Sequence, residues 1–166
     1  DVVRVASHCT ETDITQRHIS YVRERGKEVY GTMMMTHMAS LEDLIKNCLQ
    51  LESYGAHGVI LMDSAGAYLP HDVIKRVSAV VSELKIPLGF HTHNNLGMAI
   101  ANSVAAVESG AVILDGTARG FGAGAGNAQL EVLVAVLHKL GYETGIDLYK
   151  CLDASELAEE QLMKTI

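Results

Sequence analysis

Tryptophan is absent and phenylalanine occurs only twice in 166 residues. Any core must therefore be aliphatic, and the length suffices for one domain with a substantial one. No basic patch is present and the net charge is −7. That excludes a nucleic-acid backbone as the expected partner. No apolar run reaches the roughly 18 residues of a membrane span. The three cysteines, Cys9, Cys48 and Cys151, are widely spaced and form no CxxC. This suits reduced thiols in a cytoplasmic protein better than a disulfide scaffold. Asp1-Val2-Val3-Arg4-Val5-Ala6 lacks the form of a signal peptide. It reads as a strand already under way, as though cut from a longer chain.

What is present is a repeating unit of apolar strand, polar end and helix. Val2 to Ala6 ends at Ser7-His8-Cys9-Thr10, and Val29 to Met35 ends at Thr36-His37. Val59 to Met62 ends at Asp63-Ser64, Leu88 to His93 ends on its histidines, and Val112 to Leu114 ends at Asp115. Between them lie helical patterns. Asp13 with Gln16, and Ser40 with Asp43, have the capping-box spacing. Asp72 opens the third helix; Leu96, Ile100, Val104 and Val107 mark the fourth; Asn127 is placed to cap the fifth. Gly26, Gly55, Gly110 and Gly141 close four of them. Asp153 with Glu156 starts a last helix. The repeat length of roughly 30 residues is that of a βα step. Strands that are continuously apolar point to a parallel sheet covered on both faces. Two architectures fit: part of a (β/α)8 TIM barrel, about five of its eight strands, or a complete five-stranded open sheet of flavodoxin-like order. The pattern alone does not separate them.

The stretch Gly89-Phe90-His91-Thr92-His93-Asn94-Asn95-Leu96-Gly97 carries the clearest chemistry. Alternate residues of a strand share a side, so His91 and His93 project together while Thr92 faces away. Two imidazoles at a strand end can grip one metal ion, given open positions and a third protein ligand. The plainer reading is a pair of hydrogen-bonded polar residues. In a barrel, all the polar strand ends would line one mouth. His8 and His37 read as lining residues without a role, and Cys9 as inert, because nothing marks it as activated. Met33, Met34, Met35 and Met38 read as core filler. His18, His57, His71 and His138 read as surface residues. Gly120-x-Gly122-x-x-Ala125 matches a relaxed dinucleotide fingerprint, but no strand with a terminal acid follows at the required distance. Glycines that let the backbone approach a ligand or a barrel rim explain it better.

Taken together, Gly89-Phe90-His91-Thr92-His93-Asn94-Asn95-Leu96, Asp63-Ser64-Ala65-Gly66 and Gly120-Phe121-Gly122-Ala123-Gly124-Ala125-Gly126-Asn127-Ala128 resemble the 4-hydroxy-2-oxovalerate aldolases. Arg4-Val5-Ala6-Ser7-His8-Cys9-Thr10-Glu11 and Glu52-Ser53-Tyr54-Gly55-Ala56 are similar to them as well. These are class II metal-dependent pyruvate aldolases of the barrel superfamily that includes hydroxymethylglutaryl-CoA lyase and isopropylmalate synthase. The resemblance implies retro-aldol cleavage of 4-hydroxy-2-oxovalerate to pyruvate and acetaldehyde, in catabolism of aromatic compounds, with Mn²⁺ or another divalent metal such as Co²⁺ or Mg²⁺. It implies His91 and His93 as metal ligands, His91 also against the substrate, and Ser64 as substrate-binding. It matches Asn127 to the asparagine that hydroxymethylglutaryl-CoA lyases present to the metal. The family's Arg-Asp pair, catalytic histidine and C-terminal tyrosine cannot be placed in this chain, which would begin at the fourth strand. Residues 1–141 would be a partial barrel. Residues 142–166 would begin the helical region that contacts an acylating acetaldehyde dehydrogenase. The fragment would self-associate and be inactive alone. The rivals are an acyl-CoA lyase or synthase of the same superfamily and a non-catalytic flavodoxin-like binding module.

Overall fold

The computed structural model describes residues 1–162. Five strands, β1 (Val2–His8), β2 (Glu28–Met34), β3 (Gly58–Asp63), β4 (Leu88–Thr92) and β5 (Ile113–Leu114), form one parallel sheet in the order β1-β2-β3-β4-β5. A flavodoxin-like sheet would have doubled back, so the open-sheet alternative is overturned. Right-handed crossovers between consecutive neighbours place the helices on one side of such a sheet. They are α1 (Gln16–Glu24), α2 (Leu41–Ser53), α3 (Pro70–Val81), α4 (Ala99–Glu108), α5 (Leu130–Lys139) and α6 (Leu148–Gln161). None is long and apolar enough, among the described residues, to cross a membrane. Of the helical region anticipated at 142–166, the last four residues lie outside the described ones.

Strand alternation sorts the side chains. Val29, Met33, Val59, Leu61, Leu88 and Phe90 face the helices and are fully buried. They pack with Ile19, Leu44, Cys48, Leu51, Val73, Val77 and Val80 in one aliphatic core around a single Phe. Burying each such side chain is worth about 1.5–3 kcal/mol. The register Arg4↔Tyr30, Tyr30↔Gly58, Ile60↔Gly89 and Gly89↔Ile113 defines the other, inner row. His91, Asp115 and Met34 belong to that inner face by the same period of two.

Several local expectations need correction. Ser40 does cap α2, with Asp43 N donating to Ser40 Oγ at 3.1 Å, but the box is not reciprocal: the Asp43 carboxylate accepts from the Ser40 hydroxyl at 2.7 Å. The one at Asp13 is absent: a 3-10 turn at Thr12–Thr15 leads into α1 without a side-chain cap. The Thr12 hydroxyl turns instead to Asn47 and Gln50 on α2. The buried residue of α1 is Ile19, while Ile14 and Tyr21 are exposed. Pro70 opens α3 two residues before Asp72, whose carboxylate accepts from Leu69 N at 3.0 Å. α4 begins only at Ala99, so Leu96 precedes it and is exposed, while Asn102, Ser103, Ala105 and Ala106 are buried. Small residues there let the helix lie close to its neighbours. α6 starts at Leu148, because Asp147 and not Asp153 caps it, accepting from Tyr149 N and Lys150 N.

Candidate active site

The carboxyl ends of the five strands share one rim, and the alternation divides their polar residues. Cys9, Thr36 and Asp63 turn outward into the sheet–helix layer. Cys9 Sγ donates to Met35 O, and burial pushes its thiol up from the ordinary range. Thr36 Oγ1 donates to Met62 O and accepts from the Tyr68 hydroxyl, whose own pKa burial pushes up to about 12. Asp63 is fully buried and accepts from Ala67 N and Tyr68 N. These three shape loops and do not line a mouth. Of the methionines read as filler, only Met33 is buried; Met34 and Met38 are exposed. His57 is half-buried, its Nδ1 accepting from Val29 N at 3.0 Å.

The inner rim brings together His91, His93, Ser64, Asn127 and Asp115. His91 and His93 rings stand 5.3 Å apart at 61°. β4 ends at Thr92, and His93 continues by an isolated bridge to Asn127. Asn127 is buried. Its Nδ2 donates to Phe121 O at 3.0 Å, which leaves Oδ1 as the acceptor, and Oδ1 has no partner among the described residues. Buried acceptors are normally paired, and this one, like Asn102 Oδ1 in α4, keeps an open position for a further donor or a cation. Ser64 Oγ accepts from Met35 N at 2.9 Å and keeps its own proton to donate. Met35 is held there in the left-handed region, at φ 57°.

The glycine segment builds this rim. Gly66, at φ 55°, lies under His93 and Asn95, where a Cβ would sit 2.8 Å from His93 O and 2.7 Å from Asn95 N. A Cβ on Gly122 would collide with the Asn127 amide. Asn95 fastens the loop, accepting from Ala125 N at 2.9 Å and donating to Ala65 O at 3.0 Å. Asn94 N donates to Gly126 O at 2.8 Å. The glycines thus serve the rim and not a dinucleotide.

Asp115 is legible in the sequence as a rim acid; its partner Arg4 is not. Arg4 Nη1 and Nη2 donate to Asp115 Oδ2 and Oδ1 at 2.5 and 2.8 Å. His91 Nδ1 lies 3.1 Å from Asp115 Oδ2. Burial pushes the Asp115 carboxyl up, yet the hydrogen bonds from His91 and Arg4 and the Arg4 charge outweigh it and hold it at about 2. The signal for Arg4 was a charge set two residues before Ala6 and four before His8, on the inner face of an apolar strand. His8 binds Thr10, its Nδ1 2.7 Å from Oγ1. His37 Nδ1 is buried without a partner among the described residues.

The donor set suits a divalent cation in part: two imidazoles and an orphaned amide oxygen. Among the described residues no three His, Cys, Asp or Glu side chains are grouped to hold one. A third such ligand is therefore not supplied by the described residues.

Residues 6–158 match the HMGL-like family. The 4-hydroxy-2-oxovalerate aldolase of Spirochaeta aurantia is 63% identical over 166 residues, covering 100% of this chain and 49% of that protein. The protein of the same name from Pectobacterium atrosepticum is 62% identical over 160 residues, 96% of this chain and 47% of that protein. The chain spans about half the length of the curated relatives it matches. HMG-CoA lyase of Bacillus subtilis superposes with a TM-score of 0.90 at 22% identity, over 96% of this chain and 63% of that one. The N-terminal domain of a putative aldolase from Bacteroides vulgatus gives 0.83 at 26% identity, over 99% and 55%. The sheet is accordingly five strands of a TIM-barrel-like fold that does not close on itself.

Proposed function

The chain belongs to the HMGL-like family, and from that premise we propose that it carries part of the active site of a 4-hydroxy-2-oxovalerate aldolase. The reaction is retro-aldol cleavage of a 4-hydroxy-2-oxo acid to pyruvate and an aldehyde. The observation that supports it is the inward pair His91 and His93, with Asn127 bridged to His93 and its Oδ1 unpaired among the described residues, in a chain 63% identical to a protein of that name.

A divalent cation, Mn²⁺ or in its place Co²⁺ or Mg²⁺, supplies Lewis acidity to the 2-oxo acid when bound. His91 and His93 would hold it, and Asn127 Oδ1 would add an oxygen. The Ser64 hydroxyl, which accepts from Met35 N and keeps its proton, donates to the substrate and fixes its orientation. The Asp115 carboxylate is shared between Arg4 and His91. It therefore serves neither as base for the 4-hydroxyl proton nor as a free acidic ligand. That base, the acidic ligand and the arginine facing the keto oxygen belong to the length of the relatives that this chain does not span. In the same reading the enzyme is cytoplasmic and acts in aromatic-compound catabolism. The region from residue 142 then contacts an acylating acetaldehyde dehydrogenase.

The test is pyruvate release from 4-hydroxy-2-oxovalerate by the full-length protein, before and after chelation. Release should vanish with EDTA, return with Mn²⁺, and be lost in His93→Ala. Turnover that ignores EDTA, or survives in His93→Ala with its Mn²⁺ dependence intact, overturns the reading.

A further inference from the structure

We propose that Asp115, itself fixed by Arg4, is the positioning residue of His91: it holds the Nδ1 side of the ring and so presents Nε2 to the ligand. The inference rests on the reading of His91 as a metal ligand.

The sequence places the two residues side by side. β4 and β5 pair as Gly89↔Ile113 and Phe90↔Leu114, so the next inward residue of each strand is His91 and Asp115. Asp115 N donates to Phe90 O at 3.2 Å, which carries the ladder up to that point. Both side chains are only 16% exposed, and Nδ1 lies 3.1 Å from Oδ2. An ionised carboxylate only accepts, so the proton of this bond sits on Nδ1. A neutral imidazole carries one N–H, and its Nε2 is then a free lone pair. A ligating histidine needs that tautomer, and a carboxylate behind the ring is a common way to secure it.

Arg4 explains why the acid stays in place. Two parallel bonds from one guanidinium fix both oxygens and the plane of the carboxylate. A lysine would bind as a point charge and leave that plane free to turn. The fork comes from β1, at the far edge of the sheet, so the orientation of His91 is set from across the barrel interior. Among the described residues no carboxylate bonds the His93 ring; its backbone bridges Asn127. The two histidines are thus held by different means.

The test reads the tautomer directly. In the full-length, metal-free protein with ¹⁵N-labelled histidine, above the imidazole titration range, long-range ¹H–¹⁵N spectra should show the His91 proton on Nδ1. In Asp115→Leu that preference should disappear while His93 keeps its spectrum. Co²⁺ affinity, read from its visible absorption, should fall by about 10- to 100-fold. Arg4→Met should fall less, and Arg4→Lys should recover part of the loss. A wild-type His91 protonated on Nε2 overturns the proposal, as does a folded Asp115→Leu with unchanged tautomer and Co²⁺ affinity. Should Asp115→Leu not fold, the wild-type tautomer decides alone. The tautomer is read without metal or substrate. A protein with no aldolase turnover but Nδ1–H on His91 therefore sinks the functional reading and leaves this one standing.

Discussion

Arg4 in β1 and Asp115 just past β5 are joined by hydrogen bonds of 2.5 and 2.8 Å, although they lie on opposite edges of the sheet. Four strand-to-strand steps of about 4.8 Å would separate them by roughly 19 Å in a flat sheet, too far for the two side chains to span. The pair therefore records the curvature: the inner faces of β1 and β5 look at one another across a barrel interior.

That pair has a pH signature. The Asp115 carboxyl sits at about 2 in the folded chain against 3.8 ordinarily. A carboxylate so depressed stabilises the fold above its unfolded value, and this contribution is lost as pH falls through the folded one. Arg4 is 42% exposed, and solvent trims its share. The metal-free protein should lose about 1–2 kcal/mol through this group between about pH 4 and pH 2. Asp115→Asn should lack that component. Urea midpoints measured across the window check it, and parallel curves for the two proteins would contradict it.

Ser64→Ala removes one donor to the substrate and the acceptor of Met35 N. A neutral hydrogen bond is worth about 1 kcal/mol. KM should therefore rise by about fivefold with kcat little changed. A large fall in kcat at constant KM would show that the hydroxyl acts in the chemical step.

Gly66→Ala meets backbone on two sides, at His93 O and Asn95 N, from a φ of 55°. Gly97 has a φ of 70° and nothing within 4 Å. Alanine at Gly97 should cost only the conformational penalty, about 1 kcal/mol. Alanine at Gly66 should cost clearly more and weaken metal binding, because His93 must shift. Equal thermal midpoints for the two variants would refute the close packing of the rim.

Cys9 and Cys48 are fully buried and Cys151 nearly so, and burial pushes all three thiols up. The native protein should react with a thiol reagent only at the rate at which it opens, and Cys9→Ala should keep its turnover. One rapidly labelled thiol, or a dead Cys9→Ala that still folds, would restore Cys9 as a nucleophile.

The 166-residue chain by itself should associate. β1 and β5 are open edges, and the inner face exposes Val2 at 60% and Met34 at 37%. Unpaired edges beside apolar surface recruit a further chain. Sedimentation at micromolar concentration should show species above the monomer. A single monomeric species would mean that the edges are protected in a way the strand pattern does not reveal.

The parallel fold was legible because each strand is a block of apolar residues and each ends on polar ones. Leu88 to His93 shows this best. The order of strands was not, since crossover helices of the same length serve an open sheet as well as a barrel. His91 and His93 were legible from the period of two. Their neighbours Cys9, Thr36 and Asp63 were misplaced because one residue of slip at a strand end reverses the side a residue faces. The exposed Ile14 and Tyr21 show the same limit on α1, where Thr12 and Thr15 form a tighter turn first. Arg4 was hidden by distance. Its meaning lies 111 positions away at Asp115, and no local pattern joins them.

Gly122 and Asn127 occupy each other's space, since any side chain on the first displaces the amide of the second. The two positions are therefore not free to drift separately. A lineage that acquires alanine at 122 must turn the Asn127 amide aside or shorten the residue at 127, and either change disturbs the amide that follows the bridge to His93. Divergence through this loop then proceeds by paired replacements, and a descendant that keeps one of the two without the other marks a site whose ligand has changed.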